Sequence, residues 1–103
     1  MEIIVRYGSE AEAEATKTAG GLVPRPGHED QPKWVAKPGA VAPNRLGKRK
    51  NYACKIEFEV EDSMTDWLKQ YEIKPNEPNR YAVPASEVKT FNAKVLNVKI
   101  EKR

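Results

Sequence analysis

A run of basic residues in the middle of the chain is the first feature that could do chemistry. Between Asp30 and Glu57 the sequence has no acidic residue. The same interval contains seven basic side chains: Lys33, Lys37, Arg45, Lys48, Arg49, Lys50 and Lys55. Such a stretch favours a local site for an anion, either a phosphate or an acidic partner. It is equally typical of a solvated loop whose lysines keep the chain soluble.

The scarcity of cysteine and histidine excludes several kinds of site. The chain has one cysteine and one histidine, which excludes a disulfide framework within the chain and a zinc site rich in either residue. A Ser-His-Asp triad would have to use His28. The sequence also has no Gly-x-x-x-x-Gly-Lys-Ser/Thr or Gly-x-Gly-x-x-Gly phosphate loop. Cys54 alternates with apolar residues, which indicates a buried small side chain.

Length and composition bound the fold. A chain of 103 residues predicts one domain, residues 1–103, with a single modest core. The hydrophobic fraction of 39% and charged fraction of 32% are typical of a folded soluble protein. A net charge of +3 is small for a dedicated nucleic-acid-binding protein. No apolar run approaches the roughly 20 residues of a membrane-spanning helix, so we expect no membrane partner.

Periodicity and capping signals predict an α+β domain with a mostly antiparallel sheet of four to six short strands. Ser9 and Glu12 have the spacing of a capping box, and Gly20-Gly21 ends the helix that they begin. Residues 22–50 hold five of the eight prolines and predict a long irregular segment around a short strand. The predicted strands are 2–7, 33–36, 52–60, 81–83 and 93–101, with helical segments at 63–71 and 84–92 and a turn-rich loop at 74–80. Phe58, Trp67 and Leu68 are predicted core residues, and Leu96, Val98 and Ile100 are predicted to share one side of the last strand.

The order of the N-terminal runs resembles a known enzyme family. Val5-Arg6-Tyr7-Gly8-Ser9 precedes the predicted helix, and Ala19-Gly20-Gly21-Leu22-Val23-Pro24-Arg25 follows it. This order resembles the start of a bacterial mono-ADP-ribosyltransferase toxin of the cholera–pertussis type. In that family an arginine ends the first strand, and a helix leads to a Gly-Gly-Leu-x-Pro-Arg turn. Asn51-Tyr52 and the strand that follows resemble the family's central strand.

Still more closely, the chain resembles the C-terminal toxin domain of Rhs polymorphic toxins, the TreTu type. The runs that carry this resemblance span nearly the whole chain: Arg6-Tyr7-Gly8-Ser9, Gly20-Gly21-Leu22-Val23-Pro24, Gly27-His28, Gln31-Pro32-Lys33-Trp34-Val35-Ala36, Trp67-Leu68, Asn76-Glu77-Pro78 and Ala82-Val83-Pro84-Ala85. The resemblance implies a small ADP-ribosyltransferase-like fold of mostly antiparallel twisted sheets, short helices and a long proline-rich loop.

The same resemblance implies a function. The domain is expected to transfer ADP-ribose from NAD, without a metal, to a macromolecule of a target bacterium, namely elongation factor Tu, and so to block translation. It is expected to be the tail of a large secreted carrier that delivers it to the cytoplasm of the target cell. A cognate immunity protein in the producer is expected to cover the cleft between Arg6 and Glu77.

Two residues are assigned catalytic roles by the resemblance. Glu77 lies seven residues before Pro84, close to where the family's catalytic glutamate precedes its own Ile-Pro turn. Breaking the bond between nicotinamide and ribose creates a cation like that of glycoside hydrolysis, which a preorganised carboxylate stabilises. Arg6 is expected to hold the cofactor through its forked guanidinium. The alternative for Arg6 is a structural pair with Glu12 or Glu101.

The resemblance also implies contacts to NAD from six residues: Arg6, Tyr7, Gly8, Lys33, Trp34 and Tyr52. Tyr7 and Gly8 would offer backbone contacts to the nicotinamide amide, and Trp34 would stack on nicotinamide or wall the pocket. Arg25, His28, Gln31 and Lys33 lie in the long loop, from which they could reach the pyrophosphate; for each of them the alternative is a solvated loop residue. For Tyr7, Trp34 and Tyr52 the alternative is ordinary core packing. No metal ligand is expected.

Two positions depart from the family pattern, and other functions compete. Lys33-Trp34-Val35-Ala36 replaces the usual Ser-Thr-Ser strand, and Pro75 stands where arginine-modifying members have the first glutamate of Glu-x-Glu. The main alternative is a non-enzymatic nucleic-acid-binding module that uses residues 33–55, whose binding would depend steeply on salt. An endonuclease is a further alternative, for which the sequence offers neither a second histidine nor an acidic metal cluster.

Overall fold

Six strands and three short helices make up the structure, a computed structural model that describes residues 2–24, 27, 29–39, 53–73 and 77–102, with the backbone alone at 77 and 78. In chain order they are β1 (Glu2–Gly8), α1 (Glu10–Ala19), β2 (Lys33–Ala36), β3 (Cys54–Val60), α2 (Met64–Leu68), β4 (Glu72–Ile73), β5 (Glu77–Val83), α3 (Val88–Ala93) and β6 (Val95–Lys102). Short 3-10 turns cover Lys69–Tyr71 and Ala85–Glu87. Among these residues, no helix combines the length and the apolar character needed to cross a membrane.

The strands form one antiparallel sheet in the order β4-β5-β2-β1-β3-β6. β1 pairs with β3 along its whole length, from Glu2 opposite Val60 to Gly8 opposite Cys54. In contrast, β1 and β2 share one registered pair, Val5 opposite Ala36. The sheet therefore consists of two halves, β4-β5-β2 and β1-β3-β6, joined narrowly at its centre by this one registered pair. The predicted α+β class with an antiparallel sheet and short helices is confirmed.

The core lies between one face of this sheet and the three helices. Phe58 and Phe91 are both fully buried, and their rings meet edge to face with centroids 5.4 Å apart. Burial of Cys54, Phe58 and Leu68 confirms the sequence prediction for these three residues. Trp67 packs at the margin of the core, against the Tyr71 ring. The apolar contacts thus anchor β3 and the C-terminal helices to each other.

Local capping explains why α1 begins and ends where the sequence predicts. The Ser9 hydroxyl accepts a hydrogen bond from the Glu12 N–H at 3.2 Å. Gly20 ends the helix with a positive φ of 74° that suits glycine. Gly21 lies so close to Asn92 that a Cβ there would overlap its side chain. That side chain bonds both the N–H and the carbonyl of Leu22, which ties the end of α1 to α3.

The predicted loop over 74–80 is wrong for residues 77–80, which belong to β5. Two irregularities accommodate its turn-forming residues within a strand. The register between β4 and β5 shifts between Glu72 and Ile73. Asn79 has a positive φ of 64°, and its N–H donates to the Glu72 carboxylate at 2.9 Å. Pro78, which has no N–H to donate, is tolerated beside such an irregularity.

The prediction that Leu96 shares one side of β6 with Val98 and Ile100 is also wrong. Leu96 is 59% exposed, whereas Val98 is buried. The register between β3 and β6 shifts between Glu59 and Val60, so that Glu59 lies opposite Asn97 while Val60 lies opposite Val95. Leu96 is the extra residue at this irregularity, and it does not follow the alternation of the strand.

Candidate active site

Three charged side chains converge beside the join between β1 and β2. Arg6 donates from Nε and Nη2 to Oε1 of Glu12, at 3.0 and 2.8 Å. Lys33 donates from Nζ to the same oxygen at 2.9 Å. Their side chains are 17%, 20% and 9% exposed for Arg6, Glu12 and Lys33. We call this group the Arg6–Glu12–Lys33 cluster.

Each member of the cluster comes from a different element. Arg6 lies on β1, Glu12 lies in the first turn of α1, and Lys33 is the first residue of β2. Gly8, at the end of β1, provides the space for the carboxylate, since a Cβ there would overlap with Glu12. The buried Gly8 therefore has a structural reason for lacking a side chain, independent of any contact to a cofactor.

The charges of the cluster keep Glu12 ionised. Burial alone would raise the pKa of the Glu12 carboxyl. The positive charge of Arg6 and the hydrogen bonds from Lys33 and Arg6 outweigh this effect, so the pKa lies below its usual value of 4.5. The ionised Glu12 carboxylate is thus shared by two cations, Arg6 and Lys33.

Acid is expected to remove the stabilisation that Glu12 provides. Because its folded-state pKa is lowered, the ionised carboxylate stabilises the fold at pH values above the usual 4.5, and this contribution is lost as the pH falls through the folded-state pKa. Urea unfolding across this pH range should show a larger acid-induced loss of unfolding free energy in the wild type than in a Glu12→Gln variant.

The comparison isolates Glu12 because other carboxylates titrate in both proteins. Glu59, for example, has its pKa lowered by a hydrogen bond from Lys99. If the difference in unfolding free energy between wild type and variant stays constant from neutral to strongly acidic pH, the ionised state of Glu12 is not what stabilises the fold.

Arg6 also bridges the narrow join of the sheet. Its Nη1 donates to the Trp34 carbonyl at 2.8 Å, close to the registered pair of Val5 and Ala36. That pair shares one face, so the alternation of β-strands places Tyr7 and Trp34 on this face as well. Arg6 and Lys33 lie on the opposite face. The predicted cofactor residues are therefore divided between the two faces, around the same join.

Trp34 is exposed on the surface of β2. Its side chain is on the surface, with 52% of the residue accessible to solvent, so the alternative that Trp34 is ordinary core is wrong. The half-buried Tyr7 is on β1, opposite Lys55 of β3. An exposed indole can stack on an aromatic ring of a ligand, but this one is on the other face of the sheet from the Arg6–Glu12–Lys33 cluster.

Glu77 lies on the neighbouring half-sheet. β5 pairs with β2, with Val35 opposite Tyr81 and Lys33 opposite Val83. Continuing the pairing of β1 with β2 puts Arg6 level with this Val35–Tyr81 row. Glu77 precedes Tyr81 by four residues, which is about 13 Å along the strand, and it lies two strands from β1. The backbone of Glu77 is thus outside the Arg6–Glu12–Lys33 cluster, on the side of the join formed by β2 and β5.

Several predicted residues lie outside the part of the chain that the structure describes. These are Tyr52, Arg25, His28 and the basic residues between 45 and 50. Of the described members of the basic run, Lys33 pairs with Glu12, and Lys55 pairs with Glu57 at 3.3 Å. Two of the positive charges in this run are therefore already balanced by carboxylates.

The sequence identified Glu12 only as a capping residue and as one possible partner of Arg6. The structure selects Glu12 over Glu101 as that partner. It adds Lys33, 21 residues further along the chain, to the same carboxylate oxygen. The signal available in the sequence was a capping-box glutamate six residues after a strand arginine.

The described residues contain no group of three or more His, Cys, Asp and Glu side chains placed to hold a metal ion. What they bring together is a partly buried cluster of two cations on one ionised carboxylate, with an exposed indole on the other face of the sheet. Comparisons with protein-family models, with curated proteins and with solved structures give no match for this chain. Its function is therefore inferred from the residues themselves.

Proposed function

We propose that this chain is a NAD-dependent mono-ADP-ribosyltransferase and the toxin domain of an antibacterial Rhs-type protein, with an ADP-ribosyltransferase-like fold. The observation that supports this most is the environment of Arg6. The arginine sits on the first strand, oriented by Glu12 and by the Trp34 carbonyl, and it shares the Glu12 carboxylate with Lys33. It is followed by a capped helix and a Gly-Gly turn, in the order that the resemblance requires.

The strand arrangement is compatible with the roles that the resemblance implies. β2, which occupies the place of the family's Ser-Thr-Ser strand, lies between β1 with Arg6 and β5 with Glu77. An extended dinucleotide lying across the join would meet Arg6 at one end of its path and the start of β5 at the other. Arg6 would bind the pyrophosphate. Lys33 would act through the Glu12 carboxylate that it shares with Arg6, and Trp34, on the opposite face of the sheet, would lie outside this path.

The reaction needs few groups beyond these. The bond between nicotinamide nitrogen and the ribose C1 breaks, and its electron pair leaves with neutral nicotinamide. The Glu77 carboxylate stabilises the positive charge that develops on the ribose. A nucleophile of the target then attacks C1 and loses its proton to solvent. The target, elongation factor Tu, the delivery by a larger carrier and the cognate immunity protein are parts of the same proposal.

A second candidate function, nucleic-acid binding, has weaker support. The exposed Trp34 and the basic run would also suit a nucleic-acid-binding module, in which bases stack on an aromatic side chain. However, Lys33 and Lys55 are engaged by Glu12 and Glu57. Lys33 is also largely buried. These lysines are poorly placed to follow a phosphate backbone, so we rank this function below the transferase.

Transfer of label from NAD into a bacterial lysate tests the proposal. We expect a labelled protein band near the size of elongation factor Tu, dependent on the folded chain and sensitive to protease but not to ribonuclease. Heat-denatured chain serves as the control. Label found in RNA would support the transfer reaction but show that the target is RNA instead of elongation factor Tu. No label in any fraction, from a protein shown to be folded, would remove the transferase proposal.

A further inference from the structure

We infer that Glu12 is the positioning residue for Arg6, holding the guanidinium in the orientation in which it binds NAD. The inference rests on the proposed function and adds to it a residue that does not itself touch the substrate. Glu12 is partly buried and accepts both hydrogen bonds from Arg6 on a single oxygen, so we expect its effect on a ligand to pass through the guanidinium.

The hydrogen bonds of Arg6 define which of its donors remain for a ligand. A guanidinium has five N–H donors in a rigid plane. Nε and Nη2 donate to Glu12, and Nη1 donates to the Trp34 carbonyl. Among the described residues these are its hydrogen bonds, so one N–H on Nη1 and one on Nη2 remain. These two donors are available to a phosphate or to ribose oxygens.

Glu12 is itself held firmly enough to fix the guanidinium plane. Its N–H is bound by the Ser9 hydroxyl at the start of α1. Its carboxylate lies against the backbone at Gly8 and receives Lys33 as a second cation. A side chain whose own neighbours restrain it can restrain another, which is what a preorganised binding group requires.

The donors left on Arg6 indicate that Glu12 orients the guanidinium without occupying all of it. An anionic ligand can bind those donors while Glu12 stays in place. Loss of Glu12 would remove the two hydrogen bonds that fix the plane of the guanidinium.

The matched pair Glu12→Gln and Glu10→Gln separates positioning from a general charge effect. Both changes remove one negative charge from the first turn of α1, but Glu10 is exposed and lies 3.6 Å from Lys102 instead of Arg6. We expect Glu12→Gln to weaken NAD binding about tenfold in calorimetry, the effect of losing a charged hydrogen bond. Glu10→Gln should bind NAD as the wild type does. Glu12→Asp, which keeps the charge, should recover part of the affinity.

A second readout reports on Arg6 directly. In nitrogen–proton NMR spectra the Nε–H signal of Arg6, assigned by its absence in Arg6→Lys, should be resolved and slow to exchange in the wild type. Glu12→Gln should broaden it or speed its exchange, and Glu10→Gln should leave it unchanged. Thermal unfolding checks that the variants remain folded, and Glu12→Asp carries the comparison if Glu12→Gln does not fold.

The outcomes distinguish this inference from the proposed function. If the wild type and Glu12→Gln bind NAD equally well while the Arg6 signal changes, the positioning role is wrong and the transferase proposal stands. An unchanged Arg6 signal in Glu12→Gln also overturns it. If the folded wild type does not bind NAD at all, both the proposed function and the inference that rests on it are wrong.

Discussion

Replacement of Glu77 by glutamine is expected to lower ADP-ribose transfer from NAD by about 100-fold or more, the size of effect seen when a preorganised electrostatic group is removed from an active site. Glutamine keeps the size and the hydrogen-bonding oxygen but not the charge that stabilises the ribosyl cation. The rate of nicotinamide release and the rate of label transfer should fall together, since both depend on breaking the same bond.

The chain offers a matched control for this experiment. Glu14 is exposed in the middle of α1, so Glu14→Gln changes the net charge equally and should leave the rate unchanged. Circular dichroism should show that both variants keep the wild-type spectrum. A folded Glu77→Gln variant with wild-type activity would show that another carboxylate stabilises the transition state, and it would remove Glu77 from the proposed site.

The largest effect on stability is expected from Phe91→Ala. Phe91 is fully buried on α3 and packs edge to face on Phe58 of β3. Removing the ring leaves a cavity between the sheet and α3, which should cost about 3–5 kcal/mol. Domains of this size are stable by only about 5–15 kcal/mol. Urea unfolding should therefore show a large fall in the midpoint concentration.

The exposed Leu96 provides the control for the buried phenylalanine. It is an apolar residue of the C-terminal region with 59% of its surface accessible, so Leu96→Ala should change the unfolding free energy by less than about 0.5 kcal/mol. Equal destabilisation by Phe91→Ala and Leu96→Ala would contradict the assignment of the core to the sheet face covered by α3.

Elements governed by local signals were predictable from the sequence. The Ser9 cap and the Gly20 stop define α1 within a few residues of chain, and the alternation from Cys54 to Val60 defines β3. The exposure of Leu96 and the strand structure of residues 77–80 were not predictable in this way. Both depend on register shifts against a neighbouring strand, at Glu59/Val60 and Glu72/Ile73, which short-range patterns do not specify.

In the candidate site, too, local contacts were predictable from the sequence and long-range contacts were not. Glu12 was one of the two partners that the sequence suggested for Arg6. It could be suggested because α1 follows β1 directly. The convergence of Lys33 on the same oxygen depends on β2 lying beside β1, and the intervening residues contain no signal for that pairing. The division of Trp34 and Arg6 between the two faces follows from the same long-range contact.

The single registered pair between β1 and β2 makes Arg6 part of the seam that holds the two half-sheets together. The hydrogen bond from its Nη1 to the Trp34 carbonyl crosses that seam. A substrate that competes for this donor would weaken that link, whereas one that binds the donors left on Arg6 would leave it intact. Substrate binding and the pairing of β1 with β2 are then thermodynamically linked through one guanidinium, within a single core that joins Ile4 and Phe58 of one half to Val35 and Tyr81 of the other.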